Sequence, residues 1–310
     1  MSKYSLIVPA YNEEKSLRLF YNAVAPMMDG LQEDYEMIFI NDGSKDSTLE
    51  ILRELAAEDK RVKVCSLSRN FGQQAALLCG LEAASGDAII AMDADLQDPP
   101  EVALQMIEKW KEGYEVVHGK RRKRKGETLF KKATAFFYYR FMRKITGMEM
   151  PKDVGDFKLY DRKVVNAILS LPEHDRLLRA QTVWVGFKHA IIEFDRPERV
   201  AGETHYTLKK MIKLAESGIF PNTDYTLTLP IKLGLALGGL SMACFITFIV
   251  LTCCGIGFGG LTAWLFPSLA LIGGVVLVCQ GMANIHTYMI YKEVQNRPKY
   301  IVAEKYNFDE

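Results

Sequence analysis

Short apolar runs alternate with amphipathic segments over the first 120 residues of the chain. The apolar runs have the length of strands, and the segments between them repeat apolar residues at helical spacing. The predicted strands are Tyr4–Pro9, Tyr35–Asn41, Val62–Leu67, Ala88–Met92 and Val116–His118. The predicted helices are Glu13–Met28, one capped by Asp46 or Ser47 that runs to about Glu58, Gln73–Ala84, and one opened by Pro99 and Pro100 that runs through Lys111. Repeated βα units of this length predict an α/β fold, with a mostly parallel sheet covered by helices on both faces.

A long apolar stretch follows in the last third of the chain. From Leu233 to Tyr291 the sequence contains no Asp, Glu, Lys or Arg. A membrane-spanning helix needs roughly 20 apolar residues, so this stretch has room for two spans. We expect them at Pro230–Cys254 and Leu261–Ile290, with the glycine-rich segment Gly255–Gly260 as the turn between them. A buried helical hairpin of a soluble protein is the alternative.

Basic residues flank this apolar stretch on both sides. They are Lys209, Lys210, Lys213 and Lys232 before it, and Lys292, Arg297 and Lys299 after it. The positive-inside rule places both flanks in the cytoplasm, which predicts a multi-pass membrane protein with a cytoplasmic N-terminal domain. The basic segments Lys131–Ile145 and Leu208–Ser217 are expected to lie as amphipathic helices along the membrane surface. Self-association through the two spans is left open.

Overall composition changes this picture little. The net charge of the 310 residues is +1, and we expect no nucleic-acid partner. The cysteines are Cys65, Cys79, Cys244, Cys253, Cys254 and Cys279. They do not have the spacing of metal ligands, and a cytoplasmic domain argues against disulfide bonds.

Two carboxylates, Asp93 and Asp95, directly follow the apolar run that ends at Met92. Residues two apart in a strand point to the same side, so both carboxylates are predicted to face one ligand at the carboxyl end of a buried strand. The pair suits a divalent metal that neutralises a diphosphate, with Gln97 as a further candidate ligand. Capping of the next helix by Asp95 is the alternative, but a cap needs only one carboxylate. The pattern indicates an enzyme that handles a nucleotide-activated substrate.

Several motifs together resemble the family 2 glycosyltransferases, which have the GT-A fold. The motifs are VPAYNE (8–13), NDGS (41–44), RNFG (69–72) and DADLQDPPE (93–101). Later segments are similar to one branch, the polyprenyl-phosphate glycosyltransferases, which includes dolichol-phosphate mannosyltransferase and the bactoprenol glucosyltransferases. These segments are RKGET (124–128), VGDFKL (154–159) and RPERVAGETHY (196–206). The resemblance covers essentially the whole chain, and the two expected spans match the bacterial members.

The resemblance implies an inverting transfer of one sugar from a nucleotide-sugar to undecaprenyl phosphate, with a Mg²⁺ or Mn²⁺ ion. UDP-glucose is the first candidate donor, and UDP-N-acetylglucosamine, GDP-mannose and UDP-aminoarabinose are the alternatives. It also implies four regions: a nucleotide-sugar-binding core (1–120), an acceptor-side region with interfacial helices (121–229), two transmembrane helices (230–291) and a cytoplasmic tail (292–310). A processive polysaccharide synthase is disfavoured because no tryptophan lies in a Gln-x-x-Arg-Trp motif. A non-catalytic, lipid-binding membrane scaffold is the remoter alternative.

Roles for single residues follow from the same resemblance. The nucleotide-sugar is expected to contact Pro9, Tyr11, Asn12, Glu13, Asp42 and Asp93. The metal is expected on Asp93, Asp95 and Gln97, and the acceptor phosphate on Arg121, Arg124, Lys131 and Arg199. Asp95 and Asp156 are the candidate catalytic residues. Asp156 is expected to position the acceptor phosphate or act as a base, and an ion pair with a nearby arginine is the alternative. The basic run Lys120–Lys125 is, alternatively, a solvated or headgroup-binding patch.

Overall fold

The computed structural model of the chain describes residues 2–122, 154–172, 177–195 and 262–308, together with 246–247, 250 and 253–254. The strands are β1 (Tyr4–Ala10), β2 (Tyr35–Asn41), β3 (Val62–Leu67), β4 (Ala88–Ala91), β5 (Val116–Arg121), β6 (Val154–Asp161), β7 (His189–Phe194) and β8 (Val302–Tyr306). The helices are α1 (Leu17–Asp29), α2 (Thr48–Glu58), α3 (Gln73–Ala83), α4 (Pro100–Lys111), α5 (Arg162–Ser170), α6 (Leu178–Trp184) and α7 (Thr262–Gln295).

These strands form one sheet in the order β7-β5-β6-β4-β1-β2-β3-β8. Strands β1 to β4 run parallel to one another, and β7 runs parallel to β5. Strand β6 is antiparallel to both β4 and β5, and β8 is antiparallel to β3. The mostly parallel α/β sheet predicted from the sequence is therefore confirmed.

Helices cover both faces of the sheet, which explains why the central strands are mostly apolar. Leu6 and Val8 of β1 pack in one core cluster with Phe20, and α1, α2 and α4 all contribute to that cluster. Ile7 lies between them in the chain and packs in the other cluster with Leu77 of α3. Alternate residues of the strand thus enter opposite cores, as the period of two requires.

The sheet extends beyond residue 120, the expected end of the nucleotide-binding core. Strands β6 and β7 come from the region expected on the acceptor side, and they pair with β4 and β5. Local pattern did not reveal them because β6 carries Asp156 and Lys158 among its apolar residues. The core is thus built from both of these regions.

The C-terminal segment, expected to be only a cytoplasmic tail, also contributes a strand. Residues 298–310 group with residues 1–218 as one compact unit, whereas residues 219–297 form a second unit. Strand β8 pairs with β3, and the side-chain amide of Asn307 donates to the carbonyls of Ala56 at 2.6 Å and Val62 at 2.8 Å. Tyr300 donates a hydrogen bond to the carboxylate of Glu82 on α3. The first unit is therefore discontinuous in sequence.

The expected transmembrane hairpin is not shown. Its second span, Leu261–Ile290, falls within the 34-residue helix α7 except for Leu261, and most of its first span, Pro230–Cys254, lies outside the described residues. Among the described residues, no helix has both the length and the apolar character needed to cross a membrane. The two expected interfacial helices, Lys131–Ile145 and Leu208–Ser217, lie outside the described residues.

Candidate functional site

Loops at the carboxyl ends of β1 and β2 are joined by hydrogen bonds. The backbone N–H of Asp42 donates to the carbonyl of Ala10 at 2.9 Å. Asn12 then connects the two loops in both directions, because its N–H donates to Ser44 Oγ at 3.0 Å and its Oδ1 accepts from the N–H of Lys45 at 2.9 Å. Asn12 has a φ of 57°, in the left-handed region that Asn tolerates better than most residues. The two loops therefore form one rigid rim.

Glu13 extends this rim to the next helix. Its N–H donates to Thr48 Oγ1 at 2.9 Å, and its carboxylate accepts from Ser16 Oγ at 2.5 Å. The residues from Glu13 to Ser16 form a turn, so α1 begins at Leu17 and not at Glu13 as predicted. Of the expected nucleotide contacts, Asn12 and Glu13 thus also hold the loops in place.

Tyr11 and Pro9 occupy the same edge of the sheet. The Tyr11 side chain is 42% exposed. Pro9 is half-buried within β1, opposite Ile40 of β2. An exposed aromatic ring above a rigid rim is a suitable surface for a planar ligand.

Asp42 is buried at the centre of this rim, with only 3% of the residue exposed. Its Oδ1 accepts from the N–H of Phe71 at 2.7 Å and its Oδ2 from the N–H of Gly72 at 2.9 Å. Burial raises the pKa of the Asp42 carboxyl, and these two N–H groups and the charge of Arg69 only partly oppose the effect. The interaction shows why the motifs at 41–44 and 69–72 occur together in one chain.

Gly43 allows these two motifs to touch. It has a φ of 64°, and a Cβ at this position would lie 2.4 Å from the backbone carbonyl carbon of Arg69 and 2.5 Å from the backbone nitrogen of Asn70. Both contacts are to backbone, which cannot rotate away. Any side chain here would push the 69–72 loop off Asp42, so the glycine is required by close approach as well as by its turn.

The carboxylates of Asp93 and Asp95 lie in a turn after β4, because that strand ends at Ala91 and not at Met92. Both residues therefore lie outside the strand, and strand periodicity does not orient them as predicted. Each is instead held by its own hydrogen bond. Asp93 Oδ1 accepts from Nε2 of Gln73 at 3.1 Å, and Asp95 Oδ1 accepts from the N–H of Gln97 at 3.0 Å.

Asp95 does not cap the following helix. The N-cap of α4 is Pro99, and Asp95 bonds to the N–H two residues further on, as in an Asx turn. Asp95 and Gln97 are both buried. The capping alternative is therefore wrong, and the buried carboxylate needs another explanation.

The ligand types in this turn fit a hard divalent cation. Among the described residues, no group of three or more His, Cys, Asp or Glu side chains is arranged to hold a metal. Mg²⁺, however, is commonly bound by one or two carboxylates together with the phosphates of a substrate, and it keeps several waters. Asp93 and Asp95, with the amide of Gln97, supply such a partial set of oxygen ligands.

Asp156 comes close to this turn through the antiparallel pairing of β6 with β4. The last pair of that ladder joins Ala91 to Lys158, and Asp156 lies two residues beyond it, as Asp93 does on the other side. Arg179 of α6 donates from Nε to Asp156 Oδ1 at 2.7 Å and from Nη2 to Oδ2 at 3.0 Å. The ion pair with an arginine, which was the alternative interpretation of Asp156, is thus present.

The environment keeps Asp156 ionised. Burial alone would raise its pKa, but the charge and hydrogen bonds of Arg179, with the charges of Lys158 and Arg121, lower the pKa below its ordinary value. Lys158 is itself buried, and burial lowers its pKa to about 8 although Asp156 opposes the change. Beside it, Nε2 of His118 lies 2.7 Å from Nδ1 of His189, and the rings are stacked. Sequence reasoning missed Lys158 and Arg179, because Lys158 has no role of its own within VGDFKL (154–159) and Arg179 lies in none of the motifs.

The basic run at 120–125 divides between two surfaces where the structure describes it. Lys120 pairs with Glu193 of β7 at 2.6 Å, and Arg122 lies 3.9 Å from the same residue. Arg121 points the other way, with Nη2 4.0 Å from the carboxylate of Asp98. The alternation follows from the strand geometry of β5. Of the four expected phosphate ligands, Arg121 therefore lies at this edge, and Arg124, Lys131 and Arg199 lie outside the described residues.

Comparisons with known proteins agree with this architecture. The sequence profile described as Glycosyl transferase family 2 matches residues 5–169. An uncharacterized glycosyltransferase of Bacillus subtilis is 45% identical over 309 residues, which is 99% of this chain and 95% of the relative. The SfII prophage-derived bactoprenol glucosyl transferase of Shigella flexneri is 38% identical over 307 residues, 98% of each chain.

A solved structure shares the fold. Glucosyl-3-phosphoglycerate synthase from Mycobacterium tuberculosis, in complex with Mn²⁺, UDP-glucose and phosphoglyceric acid, superposes with a TM-score of 0.51. The match covers 69% of this chain and 76% of the synthase, at 20% sequence identity. It supports a GT-A-like fold for the sheet and its helices.

Proposed function

The chain belongs to glycosyl transferase family 2 and is a glycosyltransferase, and from this premise we propose that it transfers a single sugar to undecaprenyl phosphate. UDP-glucose is the proposed donor, and UDP is released. The names of full-length relatives, which are bactoprenol glucosyl transferases at 38% identity, support both the polyprenyl acceptor and the glucosyl group.

The observation that carries the proposal is the convergence of three loops at one edge of the sheet. Asp42 is fixed in a buried position at the end of β2, beside the rim that carries Tyr11. A carboxylate in this setting suits the N–H groups of a nucleotide base, and the exposed ring of Tyr11 suits its face. Asp93 and Asp95 follow β4, on the other side of β1, where a diphosphate attached to that nucleotide would lie.

We propose that Asp93, Asp95 and Gln97 hold a divalent cation, Mg²⁺ or Mn²⁺. Such an ion would neutralise the charge that develops on the diphosphate leaving group. The chain's own contribution is to fix the two carboxylates before substrate arrives, through the Gln73 amide for Asp93 and the N–H of Gln97 for Asp95. Fixed ligands avoid the cost of reorganisation during the reaction.

The acceptor side needs positioning more than proton transfer. A phosphate monoester oxygen is already a nucleophile, so an enzyme gains most by neutralising its charge and aiming it at the sugar. Arg121 is the described member of the proposed clamp, and Arg124, Lys131 and Arg199 complete it. The proposed location is the cytoplasmic face of the bacterial membrane, where the uncharged stretch from Leu233 to Tyr291 anchors the chain.

The test is a transfer assay with the purified full-length protein. Radiolabelled UDP-glucose, UDP-N-acetylglucosamine, GDP-mannose and UDP-aminoarabinose are each supplied with undecaprenyl phosphate and Mg²⁺ or Mn²⁺, the mixture is extracted with butanol, and the lipid phase is counted. Label from UDP-glucose should enter the lipid only when both the acceptor and a metal are present. Full activity in excess EDTA would contradict the proposed dependence on a metal. Absence of lipid-linked label with every donor would contradict the proposal that undecaprenyl phosphate is the acceptor.

A further inference from the structure

The contact between Asp156 and Arg179 is the best-defined ion pair at the acceptor side of the site. Both carboxylate oxygens are engaged, at 2.7 Å and 3.0 Å, by two nitrogens of the planar guanidinium. The side chain of Asp156 is 8% exposed and that of Arg179 is 35% exposed. A two-point contact of this kind fixes the plane of the carboxylate as well as its position.

This pair belongs to a longer row of alternating charges. The charge of Arg121 acts on Asp156, and a Cβ on the neighbouring Gly155 would lie 3.5 Å from Nη2 of Arg121. On its other side, Arg121 lies 4.0 Å from Asp98, in the loop that carries the proposed metal ligands. Arg179, Asp156, Arg121 and Asp98, which we name the charge row, therefore lead from α6 to the β4–α4 loop.

We propose that Arg179 is a positioning residue for the transfer reaction, which holds the Asp156 carboxylate in one orientation and thereby fixes Arg121 at the acceptor edge of the site. The inference rests on the proposed function, because Arg121 is the residue assigned there to the acceptor phosphate. It assigns Asp156 the task of aligning cations, in place of accepting a proton.

The surroundings of Asp156 favour this assignment over that of a base. The charged and titratable groups that face it are Arg179 from α6, Lys158 from its own strand and Arg121 from β5, with Asp98 beyond Arg121 and the imidazoles of His118 and His189 beyond Lys158. The cations nearest to the carboxylate lower its pKa, which makes it a weak proton acceptor. Its fixed negative charge balances the neighbouring cations instead.

Replacement of Arg179 separates positioning from general structural support. In Arg179→Met, turnover should fall about 10- to 100-fold while KM for the nucleotide-sugar stays within about twofold, because the donor loops are not touched. Loss of the arginine also raises the pKa of Asp156, so the acid limb of the pH–rate profile should move to higher pH. Arg179→Lys keeps the charge but not the two-point contact, so it should restore the pH profile and only part of the turnover.

Arg162, the first residue of α5, provides a matched structural control. Its guanidinium donates to the carbonyls of Gly86 and Ala84 at the opposite end of the sheet. Arg162→Met should lower the melting temperature without moving the pH profile. The same profile shift in Arg162→Met as in Arg179→Met would assign the effect to stability and overturn the proposal.

A second measurement does not depend on catalysis. The chemical shift of the Asp156 carboxyl carbon, followed by NMR against pH, should report titration at higher pH in Arg179→Met than in wild type, and Arg179→Lys should lie near wild type. Failure of every donor in the transfer assay would contradict the proposed function, whereas unchanged turnover and unchanged Asp156 titration in folded Arg179→Met would contradict only the inference.

Discussion

Strand β2 carries a buried carboxylate at each end, and the two are stabilised in different ways. Glu36, at the amino end, is 2% exposed and is surrounded by protein side chains. Its Oε1 accepts from Ser5 Oγ at 2.6 Å and from the N–H of Ser85 at 2.7 Å, and its Oε2 lies 2.8 Å from Nζ of Lys63. Asp42, at the carboxyl end, accepts its hydrogen bonds from backbone N–H groups.

The pKa values of the two residues move in opposite directions. Burial alone would raise the pKa of Glu36, but Lys63 and the serine donors outweigh it and lower the pKa to about 2. For Asp42, burial dominates and the pKa is raised. The amino end of the sheet thus neutralises its buried charge within the protein, which stabilises the fold. The carboxyl end compensates its charge incompletely, which is the state expected where a ligand completes the interactions.

The largest effect should follow from a change at the carboxyl end. Asp95→Ala removes a proposed metal ligand, and we expect transfer to fall about 1000-fold or more, because metal stabilisation of a diphosphate leaving group is worth several kcal/mol. The melting temperature should change little. Wild-type turnover in this variant would contradict the metal assignment and, with it, the functional side of the comparison.

Removal of β8 tests whether both ends of the sheet depend on the strand that the C-terminal segment contributes. A chain that stops at Ser217 lacks the strand that covers β3, and we expect it to lose much of a stability that is typically ~5–15 kcal/mol. Joining 298–310 to residue 217 through a flexible linker should restore cooperative unfolding, which circular dichroism can measure. Equal melting curves for the two chains would show that β8 is dispensable.

The sequence predicted the first half of the fold well because its signals are local. Strands β1 to β3 begin and end within a residue of their predicted bounds, since each is a mostly apolar run of strand length. Strand β8 was missed because it is short and mostly exposed, and because it pairs with β3, which is distant in sequence. Local pattern likewise does not predict the contact of Asp42 with residues 71 and 72, although both belong to motifs visible in the sequence. Arg179 reaches Asp156 only through tertiary packing.

A change at the amino end should affect stability and not transfer. Glu36→Gln removes the charge that pairs with Lys63, and we expect a loss of roughly 3 kcal/mol in the free energy of unfolding. Because the folded pKa of Glu36 is lowered, its contribution is present above its ordinary pKa near 4.5 and is lost as pH falls towards about 2. The difference between variant and wild type should shrink over that range in urea unfolding. Glu54→Gln, in an exposed pair with Arg18, is the matched control and should change stability little.

The smallest effect is expected from Asp42→Asn. The side chain keeps its shape, but its amide NH₂ faces one backbone donor, so we expect nucleotide-sugar binding to weaken about 10-fold. Since the folded pKa of Asp42 is raised, its ionisation destabilises the fold as pH rises through that value, which is opposite in sign to Glu36. The variant should therefore lose less stability than wild type as pH rises above about 4. If the free energy of unfolding changes with pH equally in the variant and in wild type, the raised pKa of Asp42 is contradicted.

The central claim is that the carboxyl edge of the sheet is the nucleotide-sugar site and that the amino edge is structural. The most direct test is a calorimetric titration of UDP-glucose in Mg²⁺. Full-length wild type, Asp95→Ala and Glu36→Gln are compared at a temperature where all three are folded. We predict metal-dependent binding to wild type and Glu36→Gln with similar affinity, and loss of that binding in Asp95→Ala. Binding that persists in Asp95→Ala but disappears in folded Glu36→Gln would contradict the claim.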